Sequence, residues 1–158
     1  PIYYNHYSTG RFTNKDGNVF WSHYSDVDKT PLYPFGYGLS YSKFEYSAPK
    51  VNKKTFTKGE KVEVTVTVKN TGIYSGKEVV QLYVKDDFAS VVRPVKELKG
   101  FEMVDLQPNE SKTLTFSLGE KELGFYNQDG KFVVEPGTFK IMIGGNSADV
   151  QELTIELL

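Results

Sequence analysis

From Tyr41 onward, apolar and polar residues alternate along the chain with a period of two. The clearest case is residues 61–68, where four valines fall on one face and charged or hydroxyl side chains fall on the other. A period of two indicates a β-strand with one buried and one solvated face. The same alternation predicts further strands at residues 78–85, 111–118, 138–144 and 151–157.

The predicted strand at residues 78–85 carries large side chains on both of its faces. Val80, Leu82 and Val84 share one face, whereas Val79 and Tyr83 lie on the other. A strand that is apolar on both sides is typical of a sheet that is covered on both sides. We therefore expect some other part of the chain, or a neighbouring domain, to lie over the second face.

Turn signals complete the predicted fold. The sequence NQDG at residues 127–130 separates two short apolar pairs and predicts a hairpin. The total comes to seven or eight strands when a first strand around residues 43–51 and a segment around residues 95–103 are added. Residues 120–122 are expected to form an exposed charged loop. Short strands in this number favour an all-β Greek-key sandwich of the immunoglobulin or fibronectin type III kind over residues 41–158.

Residues 1–40, which we call the lead-in, follow a different pattern. Glycines and prolines recur in the lead-in, so we expect an irregular backbone with at most a short strand at residues 20–24. Ten aromatic residues lie in this segment, which has no aliphatic run from which to build its own core. So much ring surface favours docking on another domain.

Composition and charge exclude several classes of function. A net charge of −1 argues against a nucleic-acid or anionic-membrane partner, and no apolar run approaches the ~18 residues of a membrane span. The absence of cysteine removes disulfides and thiolate chemistry. The only two histidines, His6 and His23, belong to the lead-in. The chain opens without methionine and without a leader pattern, which favours a fragment or a processed product.

Candidate chemical groups are few. Asp26 and Asp28 could hold a metal ion, but a solvated turn before Pro31 is the favoured interpretation. No pair of carboxylates is marked for glycosidic chemistry, and no cofactor or metal site is predicted. The two arginines are Arg11 and Arg93. Four rings could form a sugar-binding platform, although covering a sheet or contacting a neighbour is favoured for them: Tyr74, Tyr83, Phe88 and Tyr126.

Several long motifs resemble one known family. The sequence PLYPFGYGLSY occupies residues 31–41 and is followed by VTVKNTG at 66–72, EVVQLYV at 78–84 and RPVKELKGF at 93–101. Together they resemble the C-terminal fibronectin type III-like domain of glycoside hydrolase family 3, the β-glucosidases and β-xylosidases, and the junction ahead of it. Residues 1–11 are similar to the exit from the family's α/β domain, most closely in bacterial β-glucosidases of the periplasmic type.

The resemblance implies a non-catalytic structural module between domains. In the family, the catalytic aspartate and glutamate lie in the barrel and α/β domains, so no catalytic residue is expected here. Those two domains of one parent chain, periplasmic or secreted, are the implied partners, and the parent would hydrolyse terminal β-linked glucosyl residues. A carbohydrate-binding module with an oligosaccharide partner, or an adhesive cell-surface sandwich, stays open as an alternative. The predicted interdomain contacts are Tyr4, Asn5, His6, Arg11, Trp21, Tyr33, Phe35 and Tyr37.

Overall fold

The computed structural model describes residues 3–7 and 30–158, and these form a two-sheet β-sandwich with one short helix. Seven of the described strands have three or more residues, and four have two. The predicted alternating segments are all strands in the structure. The elements are β1 (Phe44–Tyr46), β2 (Lys50–Val51), β3 (Thr55–Phe56), β4 (Val62–Asn70), β5 (Gly76–Asp86), β6 (Glu97–Leu106), β7 (Ser111–Leu118), α1 (Glu120–Leu123), β8 (Phe125–Tyr126), β9 (Phe132–Val133), β10 (Gly137–Gly144) and β11 (Val150–Leu157).

The strands form two main sheets with Greek-key connections. In the first sheet, β4 pairs with β7 over residues 62–69, and β1 and β2 follow one another along its other edge. The second sheet has the order β3-β11-β10-β5-β6. The chain passes from the first sheet to β3 of the second sheet after β2 and returns to the first sheet at β4. It crosses to the second sheet after β4, returns after β6, and crosses again after β7. This last crossing contains α1 and the predicted hairpin of β8 and β9.

The core lies between the two sheets and is built from the faces that the alternation predicts. The four valines of β4 are fully buried, and Val80, Leu82 and Val84 of β5 face them from the other sheet. Burying each such side chain stabilises a fold by about 1.5–3 kcal/mol. Because alternate residues of both sheets point into the core, the residues between them project outward and can contact other parts of the protein.

The first predicted strand, residues 43–51, is interrupted in the structure. It divides into β1 and β2 because Pro49 has no backbone N–H to give to the sheet. At the break, the Ser47 N–H donates to the Thr67 carbonyl at 2.9 Å, and the Ser47 hydroxyl accepts from the Thr67 N–H at 3.0 Å. The chain then moves to the second sheet, where β3 pairs in parallel with β11. That switch was not predicted.

The prediction of a charged loop at residues 120–122 is wrong in one respect, because these residues begin the one-turn helix α1. The Gly119 N–H donates to the carboxylate of Glu122 at 2.9 Å, which satisfies one free donor at the start of the turn. Leu123 ends the helix and is buried in the core. A single turn has no periodicity in sequence, so the alternation could not reveal it.

Candidate interdomain surface

The described part of the lead-in crosses the outer face of the five-stranded sheet. The ring of Tyr4 stacks on Phe35 with centroids 4.2 Å apart, and its edge meets Tyr83 with centroids 5.7 Å apart. Tyr83 is fully buried although it projects from the outer face of β5. Burial, and then the neighbouring Tyr4, raises the pKa of Tyr83 to about 12, so its hydroxyl stays neutral. The lead-in itself therefore covers the second face of β5 around Tyr83, whereas Val79 on the same face stays partly exposed.

Gln81 fixes the backbone of the lead-in above the sheet. Its side-chain amide donates to the Gly145 carbonyl at 2.6 Å and to the Gly36 carbonyl at 3.4 Å, and its amide oxygen accepts from the Tyr83 hydroxyl. Gly36 has a positive φ of 81°. One residue earlier, the Phe35 carbonyl accepts from the Ser147 N–H at 2.8 Å. The chain at residues 35–36 is thus bound both to β5 and to the turn between β10 and β11.

The first described segment, residues 3–7, is held at the start of β6. The Val95 N–H donates to the His6 carbonyl at 2.9 Å, and Tyr7 forms an isolated antiparallel bridge with Pro94. The His6 ring meets the ring of Tyr3 edge-on, with centroids 6.2 Å apart. Asn5 and His6 are half-buried. Tyr4 thus contacts the sandwich through its ring, whereas His6 and Tyr7 contact it through the backbone.

A buried amide fixes the junction between the lead-in and β1. Asn70 is inaccessible to solvent, and its oxygen accepts from the Ser42 hydroxyl at 2.6 Å and from the Gly72 N–H at 2.9 Å. Its nitrogen donates to the Tyr74 carbonyl at 2.8 Å and to the Leu106 carbonyl at 3.0 Å. Because all four bonds are made, the path of the chain into the sandwich is fixed.

The lead-in keeps large apolar side chains in solvent despite these anchors. Tyr33 and Tyr37 lie with ring centroids 5.3 Å apart, and Tyr37 is 46% exposed. Leu32 and Leu39 are more exposed still, as is Tyr41 directly after the lead-in. Residues 30–43 form no strand or helix in the part of the chain described. The result is a rigidly attached, irregular segment that presents an apolar outer surface.

The eight predicted contact residues divide into four pairs. The structure brings Tyr4 and Phe35 together against the sheet, and it brings Tyr33 and Tyr37 together on the solvent side. Asn5 and His6 are half-buried in the segment held at the start of β6. The last pair, Arg11 and Trp21, lies outside the described residues, as do Asp26, Asp28 and the predicted strand at 20–24. Gln81 and Asn70, which position the lead-in, were missed. The signal for Gln81 is its place on the outward face of a strand predicted to be covered on both sides.

The four rings considered as a sugar platform do not form one surface. Tyr83 is buried under the lead-in, and Tyr74 and Phe88 lie beyond opposite ends of the eleven-residue strand β5. Tyr126 forms an edge-to-face pair with Phe132, with centroids 5.3 Å apart, so the two rings are not coplanar. A flat stack for a pyranose ring is therefore not built from these residues.

The charged groups at the end of β5 form an ion-paired structural cluster. The side chain of Arg93 is only 9% exposed, lies 3.4 Å from the carboxylate of Asp86, and also binds Glu97. Its guanidinium stacks over the ring of Phe125 at 4.6 Å. Burial raises the pKa of Asp86, and the positive charge of Arg93 partly opposes this increase. In residues 3–7 and 30–158, no cluster of three or more acidic or histidine side chains is arranged to hold a metal ion. No described helix is long and apolar enough to cross a membrane.

The two-sheet topology and the family comparison together define a fibronectin type III-like domain, whose family model matches residues 78–147. The chain is 45% identical over its full length to a periplasmic β-glucosidase of Salmonella typhimurium, and 50% identical over 85% of its length to a β-xylosidase of Formosa agariphila. It also superposes on a β-glucosidase structure from Listeria innocua with a TM-score of 0.93, at 45% identity over 99% of the chain.

The chain belongs with the fibronectin type III-like domain, together with its lead-in, of glycoside hydrolase family 3 proteins. It spans about a fifth of the length of these relatives: 21% of the Salmonella protein, 18% of the Formosa protein and 22% of the Listeria chain. The resemblance found in the sequence motifs is thereby confirmed.

Proposed function

We propose that the chain is a non-catalytic interdomain module of a β-glucosidase-type glycoside hydrolase, whose longer parent polypeptide hydrolyses terminal β-linked glucosyl residues. The module consists of the lead-in, residues 1–40, and the sandwich, residues 41–158. Support comes from relatives that are β-glucosidases and β-xylosidases and that are about five times as long. The Arg93 cluster supports the non-catalytic role, since its carboxylates are occupied by a buried guanidinium.

The observation that carries this proposal is the contrast between backbone and side chains in the lead-in. Its backbone is bound to the sandwich at Phe35 and Gly36, yet Tyr33 and Tyr37 remain in solvent. Fixing a segment costs conformational entropy, and exposing rings from it gains nothing in water. A pre-organised apolar surface is favourable if another domain covers it, because the ordering cost has then been met in advance.

The partners that we propose are the barrel and α/β domains of the same parent chain. The relatives' identity as glycosidases favours this role over an adhesive cell-surface sandwich, and the separated rings give an oligosaccharide partner less support. The Salmonella relative is described as periplasmic. By that analogy we propose a periplasmic or secreted location for the parent.

The test compares Tyr37→Ala in the 158-residue chain and in the longer parent. Tyr37 is half exposed in the chain, so its removal there should lower the free energy of unfolding by about 1 kcal/mol. In the parent, where we expect the whole ring to be buried, the loss should be larger by about 1–2 kcal/mol. Thermal and denaturant unfolding of both proteins measure the difference.

Phe88→Ala is the matched control, because Phe88 is an exposed ring outside the lead-in. It should behave alike in both contexts. Equal effects of Tyr37→Ala in chain and parent would refute the proposal. So would hydrolysis of an aryl β-glucoside by the 158-residue chain at the parent's rate, because the module is proposed to lack catalytic groups.

A further inference from the structure

A second apolar surface lies on the sandwich itself, beside the lead-in. Val79 on β5 is paired in register with Met103 on β6, and Gln81 is paired with Phe101. Residues paired in an antiparallel sheet project to the same face, so all four side chains share the outer face. Phe101 is 69% exposed and Met103 is 59% exposed. We call Val79, Phe101 and Met103 the β5–β6 patch.

An exposed apolar patch is unusual on an edge strand. Strand β6 is an edge of the five-stranded sheet, and natural edge strands usually carry charges on exposed positions to prevent unwanted association. Here two successive outward positions of β6 are large and apolar. The charged pair of Lys77 and Asp105 comes only after them, at the next outward register position. The patch is therefore uncharged and has a charged boundary at one end.

The patch adjoins the anchored lead-in at its other end. Gln81 binds the Gly36 carbonyl, and its register partner is Phe101. The exposed rings of Tyr33 and Tyr37 lie on either side of Gly36 in sequence. The backbone of the lead-in and the β5–β6 patch therefore meet at Gln81, and the exposed rings of the lead-in flank that point in sequence.

We infer that the β5–β6 patch is a second docking surface for another folded domain of the same polypeptide, an inference that rests on the proposed function. The relatives are about five times longer than this chain, so a covering domain has the chain length it needs. Because the β5–β6 patch has no charged side chain, the surface of the domain that covers it should be apolar as well. Three side chains are too few for a stable dimer, which buries about 800 Å² on each partner. Contact within one chain tolerates a smaller surface, because tethering raises the effective concentration.

The two methionines of the chain allow a direct test. Met103 is exposed, whereas Met142 is buried at 4% exposure and serves as an internal control. Methionine oxidation by dilute peroxide follows exposure and is read by peptide mass spectrometry. We expect Met103 to be oxidised at least about fivefold more slowly in the parent than in the 158-residue chain, and Met142 to be slow in both.

A variant shows whether protection of Met103 depends on the patch. Phe101→Ser in the parent should restore much of the oxidation of Met103, whereas Tyr126→Ser, which removes an equally exposed ring elsewhere, should not. If Phe101→Ser impairs folding, faster oxidation of Met142 will reveal it, and the comparison of unmodified chain and parent still decides the question.

Equal oxidation of Met103 in chain and parent would overturn the inference. Protection that appears in the isolated chain and grows with its concentration would assign the patch to a second copy, and would overturn it too. If Met103 is unprotected while Tyr37→Ala still destabilises the parent more than the chain, this inference fails alone. If neither effect is seen, the proposed function fails with it.

Discussion

Gly36 passes so close to Gln81 that a methyl group on its α-carbon would overlap the Gln81 side-chain amide. The same glycine has a φ of 81°, a conformation that costs other residues about 1–2 kcal/mol. Glycine is therefore strongly favoured at the point where the lead-in lies on β5, because any other residue would be strained and would displace the Gln81 amide.

Gly36→Ala should destabilise the 158-residue chain by about 2 kcal/mol, from backbone strain and from loss of the Gln81 bonds. Two matched controls separate these causes. Gly59 has a φ of 88° but open space around it, so Gly59→Ala should show the strain alone; Gly38→Ala, with open space and no positive φ, should show neither. Denaturant unfolding measures all three, and a Gly36→Ala effect no larger than that of Gly59→Ala would contradict the close contact.

Asn70→Ala should destabilise the chain by about 2–4 kcal/mol, because it leaves buried donors and acceptors without partners. The control is Asn52→Ala, since Asn52 is exposed and accepts one bond, from the Glu63 N–H. Its loss should cost less than about 1 kcal/mol. Chemical denaturation of the two variants gives the comparison. Similar losses for both would mean that the Asn70 network does not fix the junction.

Glu78 should oppose folding at neutral pH. Burial raises the pKa of Glu78, although the hydrogen bond from the Tyr46 hydroxyl, at 2.5 Å, partly offsets this. A carboxyl whose folded pKa lies above its unfolded value costs stability as pH rises through the folded pKa, and costs nothing below the unfolded value near 4.5. Glu78→Gln should thus raise stability at pH 7, and the gain should fade toward pH 4.

Glu60 provides the control of opposite sign. Hydrogen bonds from Lys53, and then from Thr57, lower the pKa of Glu60 to about 2. Its contribution to stability should be present above pH 4.5 and be lost as pH falls toward 2. Unfolding curves of Glu78→Gln and Glu60→Gln between pH 3 and pH 8 should therefore differ from the unmodified chain in opposite directions. A gain from Glu78→Gln that stays constant with pH would exclude titration of Glu78 as its source.

Arg93→Met should destabilise the chain by about 3 kcal/mol, because it leaves the buried carboxylate of Asp86 without its counter-charge. The exposed pair of Lys112 and Glu102, 3.7 Å apart, gives the comparison. Lys112→Met should change stability by less than about 1 kcal/mol. Equilibrium unfolding at pH 7 distinguishes the two, and equal effects would show that burial does not amplify the Arg93 pair.

The sequence was sufficient to predict the strands with strict alternation, because a period of two leaves one apolar face for each. Residues 111–118 form β7 within those bounds, and the valines of β4 are all buried. The elements that were missed are too short to show a period. Strand β3 has two residues and α1 has four, and each is specified by a tertiary contact.

The candidate surface was only partly predictable, because the sequence gives the number of rings and not their direction. Tyr4 and Tyr37 look alike in sequence, yet Tyr4 lies against Tyr83 and Tyr37 faces solvent. The lead-in is anchored between these two rings by Gln81, whose partners Gly36 and Gly145 are 45 and 64 residues away from it in sequence. No local pattern encodes bonds across such distances.

The cover over β5 has a consequence for exchanging this domain between proteins. If the sandwich were transferred without its lead-in, beginning at Tyr41, Tyr83 and Gln81 would become exposed to solvent. Gln81 would also lose the carbonyl of Gly36 as a hydrogen-bond acceptor. Tyr83 would then add an exposed ring to the outer face that already carries the β5–β6 patch. Recombination, in evolution or in the laboratory, should therefore preserve the sandwich better when residues 30–40 and the segment 3–7 are transferred together with it.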